Sequence, residues 1–246
     1  MAKVVRNLVV QDKQQITPNL TRMILHGNAL ADFPAGFEGG YVKLLLPQPG
    51  AKAVVRSYTV RAFDVALLEL TLDMVTHGDT GPAASWSNHA NVGEQISING
   101  PGACQMINTE ADWFLLAGDM SALPAISVNL ELLPADAVGE VILEVISEAD
   151  KIDLPIPSGM NVHWVINPEP EAVNSILEDT VMSLDWRAGL ASVWVAGEFS
   201  ASRALRQYFR HHRKIDRNLM YVSCYWKVGE TDEGMKAAKR KDPEPW

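Results

Sequence analysis

A chain of 246 residues, 47% hydrophobic and 21% charged, is long enough for one large or two modest domains and for a core that needs no metal or disulfide staple. The formal net charge of −9 excludes a general nucleic-acid binder, whose surface must be basic to displace counterions from phosphate. It leaves room for a local basic pocket.

In chain order, the first part reads as short strands between turns. Val4 to Val10 is β-rich, Thr17-Pro18-Asn19 breaks it, and Leu20 to Leu25 resumes. Tyr41 to Leu46 is an apolar strand closed by Pro47-Gln48-Pro49-Gly50. Leu68, Leu70 and Leu72 alternate with Glu69, Thr71 and Asp73, which gives one buried and one wetter face. Val92 to Ile98 leads into the turn Gly100-Pro101-Gly102. Many short strands with Gly/Pro punctuation predict a closed antiparallel β-barrel.

The pattern changes after about Ile107. Trp113-Phe114-Leu115-Leu116-Ala117 is a continuous apolar run, the mark of a strand covered on both faces. A helix over Ala122 to Leu133 follows, then strands at Val141 to Ile146 and Val162 to Ile166, a helix over Glu171 to Leu184, and strands at Val193 to Ala196 and Met220 to Trp226. Between the last two lies an amphipathic helix capped by Ser200, with Ala201, Ala204, Leu205, Tyr208 and Phe209 as its apolar stripe. Strand–helix alternation predicts a parallel α/β sheet. The expected organisation is therefore a two-domain β + α/β protein. A β-barrel spans 1–108, Thr109 to Asp112 forms the link, an α/β domain spans 112–230, and 231–246 is a helical or frayed appendage.

Cys104 and Cys224 lie far apart without metal-ligand spacing and read as reduced structural thiols. The six histidines form no ligand set, so no protein-held metal is expected. The charged start from Met1 to Asn7 does not suit a secretory peptide, and no run is apolar enough for stable membrane insertion. The expected compartment is the cytoplasm.

Two short segments carry chemistry. In Arg56-Ser57-Tyr58-Thr59, strand geometry puts the guanidinium and the aromatic ring on one face, with a hydroxyl close by. These groups suit phosphate, a planar ring and a polar edge; the same four residues also fit an ordinary surface strand. In Asp73 to Trp86, Gly78 and Gly81 allow close backbone approach, and a helix beginning near Pro82 would aim free N–H groups at an anion. That segment also fits a plain loop-to-helix turn.

Five segments in register, followed through an α/β half, resemble the siderophore-interacting proteins (ferric-siderophore reductases) of the ferredoxin–NADP reductase superfamily. They are Arg56-Ser57-Tyr58-Thr59-Val60-Arg61, His77-Gly78-Asp79-Thr80-Gly81-Pro82-Ala83, Gly118 to Ile126, Trp194-Val195-Ala196-Gly197-Glu198 and Tyr225-Trp226-Lys227. The resemblance runs from about Arg22 to Gly229.

It implies an FAD-binding β-barrel and a nucleotide-binding-like α/β domain. The implied activity is reduction of a ferric siderophore, releasing iron as Fe(II), with NADH or NADPH as electron donor. Reduced ferredoxin is a further candidate donor. Alternatives are a flavin-dependent NAD(P)H oxidoreductase with another acceptor, and a siderophore carrier without reductase activity. Arg56 would meet the FAD pyrophosphate, Tyr58 the isoalloxazine, and Ser57 and Thr59 the same neighbourhood. Asp73, Val75 and His77 would line the flavin, and Gly81, Pro82 and Ala83 would bring backbone to the pyrophosphate. Ala84 stands where the family usually has a hydroxyl, and Ser85 is the substitute. Asp119, Ser121 and Ala122 would sit beside the flavin or the nicotinamide.

For an anionic chelate, Lys52, Lys227 and Arg213 are the candidate cations. Arg203, Arg206 and Arg210 recur at helical spacing and admit two readings. One is a solvated helix face; the other is a positive surface for a 2′-phosphate, a chelate or an acidic donor.

Overall fold

The computed structural model describes residues 4–48, 50–76, 81–244 and 246. The chain divides into two compact units between Gln105 and Met106. The first holds β1 (Val5–Thr17), β2 (Leu20–His26), β3 (Tyr41–Gln48), β4 (Ala51–Thr59), β5 (Ala62–Asp64), β6 (Glu69–Val75), α1 (Pro82–His89) and β7 (Gln95–Asn99).

These strands form one antiparallel sheet in the order β4-β3-β7-β1-β2-β6-β5. Alternation builds its core: Leu8 and Val10, Met23 and Leu25, Val42, Leu44 and Leu46, Leu70 and Leu72, and Ile96 and Ile98 all point into a single cluster. The hydrogen-bonded ladder ends at β4 and β5. The chain leaving β4 bonds back to β6 through Arg61 N–H donating to Thr71 O at 2.9 Å, and both sheet ends contribute to the same core. β1 runs on past Val10 through polar residues, because its ladder with β2 continues across register shifts at Val10/Asp12 and Gln15/Thr17.

The second unit holds β8 (Trp113–Gly118), α2 (Leu123–Leu132), β9 (Val138–Val145), β10 (Gly159–Ile166), α3 (Ile176–Ser183), β11 (Ala191–Glu198), α4 (Phe199–Gln207), β12 (Met220–Trp226) and α5 (Asp232–Lys241). All pairings are parallel, in the order β10-β9-β8-β11-β12. The order reverses between β8 and β11, and an open α/β sheet binds ligands beyond the carboxyl ends of its strands at that point. Leu115, Ala117, Val193 and Val195 pack with Leu177, Val181, Leu205 and Phe209 on one face. The alternate residues Phe114, Leu116 and Trp194 are buried as well. This two-sided cover explains the unbroken apolar runs.

Three local expectations change. The helix expected from Glu171 starts only at Ile176. Turn chemistry holds the preceding residues open: Asn174 Oδ1 accepts Ile176 N–H, and Asn174 Nδ2 donates to Ala172 O. The cap of α4 is Glu198 rather than Ser200, its carboxylate accepting the backbone N–H groups of Ser200 and Ala201. After Gln207 the helix widens into a π-turn over Tyr208–His212.

The basic stripe on α4 is neither a solvated face nor an open positive surface. The chain beyond α5 covers it. Asp242 accepts from Arg203 at 3.1 Å and Arg206 at 2.9 Å, and Glu244 pairs with Arg210 and His211. Trp246 lies over the Arg206 guanidinium at 4.0 Å. Two acidic residues and a ring thus cover these cations, although Nε and Nη1 of the buried Arg206 are left without a hydrogen-bond partner among the described residues.

Candidate functional site

In the first unit, β4 is an edge strand whose residues Arg56 and Tyr58 pair across from Leu44 and Val42. Tyr58 packs against the core cluster and stays half-buried, so its ring closes the core on one side and remains partly open on the other. Burial pushes its phenol well above the ordinary range, against the opposing pull of the Arg56 charge. The phenol therefore stays neutral at any physiological pH. The Arg56 guanidinium donates only to the neighbouring Val55 O at 2.9 Å, with no carboxylate partner among the described residues. Thr59 is buried, and its hydroxyl makes no hydrogen bond among the described residues. An uncommitted cation, a half-covered ring and an orphaned hydroxyl stand within four consecutive residues.

α1 supplies a second feature of the same unit. Gly81 caps it at φ +95°, a backbone state that disfavours any side chain, and open space lies where its Cβ would be. The first intrahelical bond runs from Ser85 N–H to Gly81 O, and Pro82 has no N–H. The N–H groups of Ala83 and Ala84 find no acceptor among the described residues. Both alanines are buried, and Ser85 is half-buried with a hydroxyl that has no partner among the described residues. This donor set fits a pyrophosphate: two free amides, a nearby hydroxyl and a glycine without a side chain.

The other expected residues of this unit fall as follows. Asp73 is buried in a bidentate pair with Arg22, at 2.7 and 2.8 Å, so its carboxylate is spent and only its backbone can line a ligand. Val75 is half-buried at the end of β6, while Ser57 and Lys52 are exposed. His77 lies outside the described residues.

In the second unit, the switch point opens into a crevice lined by Asp119 after β8, Glu144 at the end of β9, Glu178 on α3, Glu198 at the end of β11 and Trp226 at the end of β12. The loop that replaces the expected start of α3 forms its opposite wall with Pro170, Ala172, Val173 and Asn174. Asp119 is the hub. Its Oδ1 accepts Ser121 N–H at 2.8 Å and Ser121 Oγ–H at 2.5 Å. Its Oδ2 accepts Glu198 N–H and the Trp226 indole N–H, each at 2.8 Å. Gly197 lets this happen, since a Cβ there would come within 2.6 Å of Oδ2.

Burial outweighs those four bonds and raises the Asp119 carboxyl above the usual range. Glu144 is pushed up to about 7, first by burial and further by the charges of Asp119, Glu178 and Glu198, against one hydrogen bond from Asn167. Glu178 is raised by burial and by Asp179 and Glu198.

Asp119, Ser121 and Ala122 do come together in the second unit, but their polar groups face each other. Ser121 is spent on Asp119, and Ala122 is wholly buried. Arg213 stacks on Trp186 and donates to Tyr208 Oη at 2.6 Å, which leaves little of it for a ligand. Lys227 follows Trp226 and lies 5.8 Å from the Phe199 ring centroid. Residue-by-residue reading missed Glu144, Glu178 and the Asp119–Trp226 bond. An acidic residue closing the second strand of a βαβ unit was the available signal for Glu144.

An antiparallel sheet unit with an anion cradle, followed by a doubly wound parallel sheet, defines the ferredoxin-reductase-like class of two-domain proteins. Within that class, the profile described as siderophore-interacting FAD-binding domain matches residues 9–55 and 49–105, and that of siderophore-interacting protein matches residues 111–229. The chain belongs to the siderophore-interacting protein family. It is similar to the ferric vibriobactin reductase ViuB of Vibrio cholerae, 34% identical over 90% of this chain and 89% of that one. A ferric acinetobactin reductase of Acinetobacter baumannii is 26% identical over 74% of this chain and 63% of its own. Among solved structures, the siderophore-interacting protein SipS of Aeromonas hydrophila superposes with a TM-score of 0.86 at 33% identity, covering 97% of both chains.

Proposed function

We propose that this chain is an FAD-dependent ferric-siderophore reductase of the cytoplasm that draws electrons from a reduced nicotinamide dinucleotide and releases iron as Fe(II). The observation that carries the reading is the uncommitted Arg56 beside the half-open Tyr58 ring, in a unit that matches an FAD-binding domain. When bound, FAD supplies the passage from a two-electron hydride donor to a one-electron acceptor.

The chain's own residues do the rest. Arg56 and the N–H groups of Ala83 and Ala84 neutralise the pyrophosphate, with Ser85 and Gly81 shaping the cradle and Pro82 fixing its helix. Tyr58 offers a flat neutral face to the ring system, and Thr59 offers its hydroxyl to the polar edge. Asp73 and Val75 contribute backbone, and Asp73 keeps its charge for Arg22. On the first unit Lys52 is a solvated cation suited to an anionic chelate, and on the second Lys227 plays that part. Iron is substrate here. Hard oxygen chelators hold Fe(II) far more weakly than Fe(III), so reduction itself loosens the product.

The test is direct. The purified protein should retain FAD, lose its flavin absorbance under NADH or NADPH without oxygen, and regain it when a ferric tris-catechol chelate is added. A folded protein that takes up no FAD, or a reduced one that ferric chelate leaves bleached, sinks the proposal.

A further inference from the structure

We propose that the outer face of α4 carries a phosphate site, built by Arg203 and Arg206 and held shut in cis by Asp242. Its ligand is a phosphate group, free or esterified. The site stands apart from the reductase reading.

Donors outnumber acceptors here. Asp242 Oδ2 takes Arg206 Nη2 at 2.9 Å, Trp246 Nε1 at 3.0 Å and Arg203 Nε at 3.1 Å, three donors on an oxygen with two lone pairs. Its Oδ1 is turned to the Glu244 N–H. Arg206 is only 2% exposed, yet its Nε and Nη1 have no partner among the described residues. A guanidinium presents its N–H groups as forks for an anion with two or more oxygens. Asp242 reaches one nitrogen of Arg206, so each fork is half filled, and a buried donor left unmatched is costly.

The charges point the same way. Lys239 Nζ donates to Cys224 O at 2.8 Å and lies 5.2 Å from the Trp246 ring centroid. Burial, and then the Arg206 charge, hold its ammonium below the ordinary range. Lys227 reaches the neighbouring ring, 5.8 Å from the Phe199 centroid. Glu244 serves Arg210 and His211, which leaves Asp242 to answer Arg203, Arg206 and Lys239. A phosphate group brings a charge of about −1.5 to −2 and three acceptor oxygens. A carboxylate from another protein would bring no more than Asp242 already does. Exchange returns the Asp242 carboxylate to water and lifts Trp246 from Arg206, where its ring lies 4.0 Å away, and from Phe199, at 5.1 Å.

The test titrates the FAD-saturated protein with inorganic phosphate by calorimetry at fixed ionic strength. Asp242→Asn, which keeps the shape and removes the competing charge, should bind phosphate about tenfold more tightly than the unmodified protein. Adding Arg203→Gln should abolish that gain, a comparison that cancels any phosphate taken up by the first unit. In the unmodified protein, hydrogen exchange follows the amides of Asp242 and Glu244, which bond to Ala238 O and Asp242 Oδ1. Both should exchange faster in phosphate than in chloride. Titration with 5′-AMP separates the sources: tighter binding than inorganic phosphate assigns an esterified ligand, and equal or weaker binding assigns the free ion. A folded Asp242→Asn protein that binds phosphate no better overturns the inference, as does a gain that survives Arg203→Gln. Unchanged exchange in the unmodified protein overturns it whether or not the variants fold. So does a poly-glutamate peptide that binds where phosphate does not, which would give the face to an acidic protein.

Discussion

Replacing Asp119 tests the hub that joins the ends of β8, β11 and β12. In Asp119→Asn one carboxylate oxygen becomes an NH₂ group, and four donors must share one acceptor. The least costly orientation leaves the amide oxygen on Glu198 N–H and Trp226 Nε1–H, while the NH₂ faces Ser121. The Ser121 hydroxyl can rotate to accept, but Ser121 N–H is left opposed. Bonds to a charged group are worth about 1.5–3 kcal/mol and neutral ones about 0.5–1.5 kcal/mol, so weakening three and losing one costs several kcal/mol. The amide escapes the burial penalty that raises the Asp119 carboxyl, which returns part of that loss.

The net expectation is a loss of about 1–3 kcal/mol for Asp119→Asn. Asp119→Ala, which strands every donor, should lose more. Urea unfolding followed by tryptophan fluorescence at neutral pH measures both. The sign with pH follows from the raised carboxyl. Its stabilising effect is complete below the unfolded value and fades as pH rises through the folded one. The gap between wild type and Asp119→Asn should therefore narrow as pH rises from below the carboxyl's unfolded value. An alanine variant no worse than the asparagine variant would refute the hub.

Glu144 gives a second pH signature. With its carboxyl raised from 4.5 to about 7, the stability it contributes is present below 4.5 and lost as pH rises through 7. Discounted for its solvent-facing part, wild type should lose about 1–2 kcal/mol between pH 5 and 8 that Glu144→Gln does not, read by urea midpoints at the two values. Arg56→Ala should weaken FAD binding about tenfold to a hundredfold through the lost charge-assisted bond to phosphate, measured by fluorescence titration of the apoprotein. Tyr58→Phe should bind FAD nearly as well as wild type and Tyr58→Ala much less well, because the flat face matters more than the hydroxyl. Trp246→Ala uncovers the Arg206 guanidinium, which should destabilise the protein by about 1–2 kcal/mol in the same urea assay.

Much of the fold was legible because each unit follows its own period. Leu68, Leu70 and Leu72 alternate, and Leu70 and Leu72 are wholly buried in the sheet core. The run from Trp113 to Ala117 has no polar break because helices cover both sides of β8, and all of it is buried. Arg56 and Tyr58 share a strand face as the spacing of two demands.

What the sequence concealed depends on residues far apart in the chain. Asp242 and Glu244 pair with arginines and a histidine 33 to 39 positions earlier, a spacing with no local period, so the α4 stripe looked open. The delayed start of α3 turns on one side chain, Asn174, which bonds its own backbone neighbours. Glu198 outcompeted Ser200 as the cap because a carboxylate reaches two amides at once. The acidic crevice arises only when the ends of β8, β9, β11 and β12 meet along one sheet edge.

The most direct measurement is the yield of Fe(II) from a limiting amount of NADH. The FAD-loaded protein is mixed anaerobically with excess ferric tris-catechol chelate, and Fe(II) is trapped by a colour-forming chelator. About two Fe(II) should appear for each nicotinamide oxidised, since a hydride carries two electrons and each iron takes one. Nicotinamide consumed without Fe(II), or no consumption at all by a flavin-loaded protein, would contradict the assignment of this chain as a ferric-siderophore reductase.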